Sequence, residues 1–253
     1  MTAVGEGQNL QNLQNLQNLG TRAPQGGRVL PRRDAPARAR LAAVGDRSRP
    51  LVLARDRALP VGSELAALVP GGVLPRGSVL RLCGAPGAGA TALGYQLAAP
   101  VTGSGEWVGA VDLDGTLGPL AARDAGVTLE RFAVVRRVPP ARWATVVAAL
   151  LDGMALVIAE VPPGVRSEDA RRLVARARER ASVLAVCTGV GADRWPASST
   201  LTLRAVHSQW DGVGERREVE LPVGFLTGRR LHLAVDGRGA AAQPRVGELA
   251  RAG

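Results

Sequence analysis

Eight consecutive residues, Gly84-Ala85-Pro86-Gly87-Ala88-Gly89-Ala90-Thr91, carry the sharpest chemical signal in the chain. They lie between an apolar run of strand length at 78–83 and a helical stretch at 91–99. A glycine-rich loop so placed can wrap phosphate, because its backbone N–H groups and the positive end of the helix dipole converge on one point. The full pattern, GxxxxGK[ST], adds a lysine for the outer phosphates and a hydroxyl for Mg²⁺. Gly84, Gly89 and Thr91 fit that pattern, with Gly87 inside the loop, but Ala90 stands at the lysine position. The chain contains no lysine at all, so only an arginine from elsewhere could replace that cation.

Carboxylates recur at the ends of predicted strands. Asp112 and Asp114 alternate along the end of one at 107–113, and Glu160 closes the apolar run 155–160. Such a pair suits metal or acid/base work; the plainer reading is a set of vestigial acidic positions. His207 and His232 fall in separate predicted strands without metal-ligand spacing and read as ordinary strand histidines. On a predicted helix at 168–181, Arg171, Arg172, Arg176, Arg178 and Arg180 are offset by Glu168, Asp169 and Glu179. A solvated face is the ordinary reading of that helix, and a phosphate-contacting face is its alternative. Trp195 and Trp210 flank the loop that follows; they could stack on bases, anchor a protein partner, or cap the core. Cys83 and Cys187, with no CxxC spacing, suggest two buried thiols in a reducing compartment rather than a disulfide or zinc framework.

These residues need a scaffold, and the hydrophobic pattern supplies one. Predicted strands at 78–83, 107–113, 132–136, 155–160 and 183–187 alternate with helices at 91–99, 117–125, 141–151 and 168–181. That rhythm predicts an α/β fold, a mostly parallel central sheet flanked by helices. A short helix capped by Ser63 precedes it, running to Leu68 before Pro70-Gly71-Gly72. After residue 199 the spacing changes, and strands at 200–207, 215–221 and 229–235 should lie antiparallel at one edge.

Outside this core, residues 1–60 read as a leader. QNL occurs four times between Gln8 and Leu19, and Arg/Pro-rich text follows with a short helix predicted at 35–44. The core is placed at 61–237, and 238–253 is expected to be a loose tail. Ten arginines in the leader face Glu6, Asp34, Asp46 and Asp56, a net of +6 out of +10 for the chain. An excess of that sign favours a polyanionic partner, nucleic acid before acidic protein. No run approaches the roughly 18 apolar residues of a membrane span, and the N-terminus lacks a secretory pattern. A cytoplasmic location is therefore expected.

Residues 71–93, GGVLPRGSVLRLCGAPGAGATAL, resemble the approach of the RecA family to its phosphate loop. The stretch 111–127, VDLDGTLGPLAARDAGV, resembles the next RecA segment, and 154–161, MALVIAEV, sits where that family carries its Walker B strand. The resemblance covers roughly 62–190, with a weaker extension to 236. It implies a RecA-like P-loop core with departures at the chemical positions. Ala90 replaces the lysine, Asp114 stands for the catalytic glutamate, Glu160 fills the Walker B place, and the second DNA-binding loop is shortened to 189–199. Degenerate proteins of this layout resemble the ImuA group and its actinobacterial ImuA-prime branch. The resemblance implies a non-catalytic accessory in damage-induced translesion synthesis, working beside an ImuB-like protein and an error-prone polymerase, with single-stranded DNA as a further partner. No cofactor is expected beyond weak ATP/Mg²⁺ binding. The alternatives are a DNA-dependent ATPase or recombinase with an unusual loop, and a SulA-like inhibitor of cell division.

Overall fold

The computed structural model describes residues 57–189, 194–212, 227–238 and 242–252. The predicted helix at 35–44, the QNL repeat and the predicted strand at 215–221 lie outside the described residues. The chain enters through β1 (Ala58–Pro60), α1 (Ser63–Leu68) and β2 (Val73–Pro75). β1 and β2 form a two-stranded antiparallel ribbon in which Leu59 sits opposite Leu74. Both leucines are fully buried, which draws residues 58–60 out of the expected leader and into the fold. Ser63 is the first residue of α1, not its cap; Gly62 holds that place, and no side chain caps the helix.

The main body then alternates as expected. Its elements are β3 (Val79–Gly84), α2 (Ala90–Gly103), β4 (Val108–Asp112), α3 (Pro119–Asp124), β5 (Phe132–Arg136), α4 (Pro140–Gly153), β6 (Leu156–Glu160), α5 (Ser167–Glu179) and β7 (Val183–Cys187). Three longer strands, β8 (Leu201–Asp211), β9 (Gly228–Gly237) and β10 (Arg245–Ala252), complete the sheet. Its order is β10-β9-β8-β3-β7-β6-β4-β5. The pairs from β8 through β3 to β5 are all parallel, while β9 runs against both β8 and β10. The fold is thus α/β, with a mostly parallel eight-stranded sheet, flanking helices and antiparallel pairing at its C-terminal edge.

Period-2 alternation explains why helices cover both faces. In β6, Leu156 and Ile158 join one core while Val157 and Ala159 join the other; β7 divides Val183 and Ala185 from Leu184 and Val186 in the same way. The first core takes Leu93, Leu97 and Val101 from α2; the second takes Trp143, Val147 and Leu151 from α4 with Leu173 and Ala177 from α5. Each buried Leu or Val contributes about 1.5–3 kcal/mol relative to exposure.

Two further expectations need correction. α2 does not stop before Pro100 but runs to Gly103. Proline removes one backbone donor, yet Val101 is buried and the Thr102 hydroxyl donates to the carbonyls of Ala98 and Ala99, so the last turn holds. Nor are residues 245–252 loose: they pair with β9 from Gly228 to Val235. Leu249 is buried there, and Gly247 lies so close to Leu68 that a Cβ would sit 2.4 Å from its Cδ2. A small residue followed by a buried leucine at period 2 is a strand signal hidden among Arg, Glu and Ala. Among the described residues no helix is long and apolar enough to cross a membrane.

Candidate functional site

The loop after β3 turns where its glycines require. Gly84 abuts β8, so a Cβ would fall 2.8 Å from the Ala205 carbonyl oxygen. Gly87 and Gly89 adopt φ of 78° and 115°, a region that residues with a Cβ avoid. The Ala88 amide closes a tight turn onto the Ala85 carbonyl at 2.9 Å. α2 follows with no side-chain cap and no acid in its first turn. Its N-terminal amides keep the positive end of the helix dipole available to an anion.

A cleft of about 950 Å³ opens over this loop, at the C-terminal ends of the parallel strands. Such a crevice is where open α/β sheets place ligands. Gly84, Gly87, Gly89, Ala90 and Thr91 line it on one side, and Asp114 and Glu160 on the other. The sequence-predicted loop and two of the three predicted acids are therefore one site.

The acids have distinct fates. Asp112 faces away: its carboxylate is fully buried, pairs with the Arg136 guanidinium at 2.8 Å, and accepts the amides of Thr116 and Leu117. It shapes the turn and is not half of a metal pair. Glu160 lines the cleft, but its carboxylate is engaged. Oε2 accepts the Leu113 and Asp114 amides at 2.5 and 3.0 Å, and Oε1 accepts the Thr116 hydroxyl at 3.3 Å. Its carbonyl oxygen accepts the indole N–H of Trp143 at 2.7 Å. Asp114 alone of the three keeps an exposed side chain at the cleft. The Glu160 carboxylate thus serves two amides and a hydroxyl, and its first task here is to hold the turn after β4.

The other predicted contacts divide. Trp210 lines the cleft and is half exposed, with the Arg229 guanidinium 4.7 Å from its ring centroid. Trp195 is only 4% exposed and packs edge-on against Trp143 at 6.4 Å, so it builds the core and cannot stack on a base. α5 packs against α4 away from the cleft. Arg176 there grips Asp152 of α4 with two 2.7 Å bonds, and Arg172 pairs with Glu168. Arg171 bonds the carbonyl of Ser167. These arginines are thus engaged with acids of α4 and α5 and with a backbone carbonyl.

Two features escaped the sequence reading because each joins distant strands. His207 and His232 stand opposite one another across β8 and β9, and their rings stack at 4.0 Å. Among the described residues no group of three His, Cys, Asp or Glu could hold a metal ion. The second feature is Arg229. From β9 it reaches the glycine-rich loop, where its Nη2 lies 2.5 Å from the point a Cβ on Gly89 would occupy. Burial lowers its pKa. Burial also pushes the Cys187 thiol at the cleft wall up to about 12, helped by the charge of Glu160. The Cys83 thiol rises for the same first reason, against the nearby charges of Arg204 and Arg81.

The sequence model of a family described as the MT3502 N-terminal domain matches residues 67–197. That stretch contains the loop, the Asp112–Thr116 turn and Glu160, and ends before β8 and β9. No curated protein matches the chain.

Proposed function

The chain belongs to the MT3502 N-terminal domain family, and we propose that it is a non-catalytic, RecA-like accessory protein of damage-induced translesion synthesis. In this reading it works in the cytoplasm, docking a polymerase-like partner of the ImuB kind, and DNA is a further contact. One observation carries the non-catalytic part. Ala90 offers no charge to a phosphate, while the Glu160 carboxylate is spent on the Leu113 and Asp114 amides and the Thr116 hydroxyl. Phosphoryl transfer depends on cations and acids positioned around the transferred group; here the loop itself carries no cation, and the carboxylate of Glu160 is held by backbone amides.

A net charge of +10 and a half-exposed Trp210 at the sheet end support an accessory role with anionic and aromatic contacts. The test is ATP turnover by the purified full chain, with and without single-stranded DNA, beside an Ala90→Lys variant. The expected result is no turnover by wild type in either condition. DNA-stimulated release of phosphate by wild type would move the protein to the ATPase or recombinase class.

A further inference from the structure

Arg229 is an unusual cation for its position. Among the described residues no carboxylate lies within ion-pair distance of it, whereas its neighbour Arg230 is paired with Asp211 at 2.6 Å. Its Nε and Nη2 donate to the Ser208 hydroxyl at 3.2 and 2.7 Å, and that hydroxyl donates to the Ala88 carbonyl at 2.7 Å. One face of the guanidinium covers Trp210. Nη1 donates to no group among the described residues. A half-buried charge held by a serine and an indole, with no counter-ion among the described residues, is a costly arrangement for a fold to keep. The cost falls if an anion completes it.

Its surroundings supply the rest of an anion site. Gly89 carries no Cβ, and one placed there would collide with the side chains of both Arg229 and Leu231, so these side chains of β9 reach the loop backbone itself. Thr188, which lines the same cleft, is 1% exposed, and its hydroxyl meets no hydrogen-bond partner among the described residues. Arg194 also lines the cleft. The negative side chains facing it are Asp114 and Glu160, the latter occupied by amides as described.

We infer that Arg229, reaching in from β9, takes the place of the absent lysine and makes the loop a binding site for the polyphosphate of a nucleotide. The assignment rests on the reading of this cleft as non-hydrolysing: the ligand is held, not turned over. The loop amides from Gly87 to Thr91 take the anion from below and Arg229 from the β9 side. The chain therefore replaces a loop cation with one from a strand more than a hundred residues later.

The experiment is calorimetric titration of the full chain with inorganic pyrophosphate and, separately, with ATP. Arg229→Gln keeps a hydrogen-bond donor for Ser208 and removes the charge; Arg229→Lys keeps the charge; Arg123→Ala, on exposed α3, serves as control. Wild type and the Arg123 variant should bind pyrophosphate alike. Arg229→Gln should weaken binding about tenfold to a hundredfold, the worth of one charge-assisted hydrogen bond, and Arg229→Lys should recover much of it. ATP tighter than pyrophosphate would add a contact to the base. The assignment falls if wild type takes up neither probe, or if Arg229→Gln binds as wild type does with an unchanged melting curve. Single-stranded DNA that displaces pyrophosphate would also overturn it, giving the site to a nucleic-acid backbone. ATP hydrolysis in the same samples would sink the non-hydrolysing reading alone, since the Arg229→Gln affinity is read with pyrophosphate.

Discussion

Glu160 Oε2 accepts the backbone amide of Asp114 at 3.0 Å, binding the end of β6 to the turn that follows β4. With the Leu113 amide on the same oxygen and the Thr116 hydroxyl on the other, the carboxylate acts as the lid of that turn. Glu160→Ala should therefore cost stability. Losing one charged acceptor for backbone amides is worth about 1.5–3 kcal/mol, readable as a lower urea midpoint with an unchanged slope. A variant as stable as wild type would mean that the turn holds itself and that Glu160 is free for other work.

The two positive-φ glycines of the loop separate strain from crowding. At Gly87 a Cβ meets nothing within 4 Å, so Gly87→Ala suffers only from its positive φ, about 1 kcal/mol or somewhat more. At Gly89 the same Cβ strikes Arg229 Nη2 at 2.5 Å and Leu231 Cδ1 at 2.6 Å. Gly89→Ala should lower the melting temperature more and also displace Arg229. Equal losses at the two positions would show that β9 yields easily and that the contact carries little.

How far the sequence showed this in advance depends on the range of each interaction. The parallel strands were readable because burial on both faces writes an apolar run into each, and 132–136 and 183–187 coincide with β5 and β7. The loop was readable because Gly84, Gly87 and Gly89 answer to local backbone geometry. Arg229 was not, since its meaning comes from pairing with Ser208 across β8 and β9 and from a glycine far back in the chain. Asp112 and Glu160 looked alike as acids at strand ends. What separates them is that Arg136 and a turn bury one while two amides engage the other. Trp195 gave no local hint that its partner would be Trp143.

Asp112 supports a sharper expectation than Glu160. Its carboxylate is fully buried, salt-bridged to Arg136 at 2.8 Å and bonded to two amides. Arg136 also donates to the Leu117 carbonyl, so the pair pins both ends of the turn. Arg136 is half exposed, so the loss is that of a charged acceptor for its neighbours, about 1.5–3 kcal/mol. Asp112→Ala should unfold at markedly lower denaturant than wild type, while Asp114→Ala, at an exposed side chain, should stay within about 0.5 kcal/mol. If the two variants melt together, the Arg136 bridge contributes nothing and Asp112 needs another explanation.

The thiols give a pH dependence with a definite sign. Burial, and then the charge of Glu160, raise Cys187 from an ordinary 9.0 to about 12 in the folded chain. The native state therefore keeps its proton where the unfolded chain has released it. The stabilising contribution is complete below pH 9 and declines as pH climbs toward 12. Because the thiolate is the nucleophile, iodoacetamide at pH 8 should alkylate Cys187 slowly in the native chain and at the ordinary rate after denaturation. Cys83, raised in the same direction and buried on β3, should share this protection. Mass spectrometry of timed, quenched samples reads both sites at once. Rapid labelling of Cys187 in the folded protein would mean that the cleft wall beside Glu160 is wetter and more open than its burial implies. In that case the anion site next to it would be solvated too, and the advantage of holding Arg229 in a low-dielectric setting would be lost.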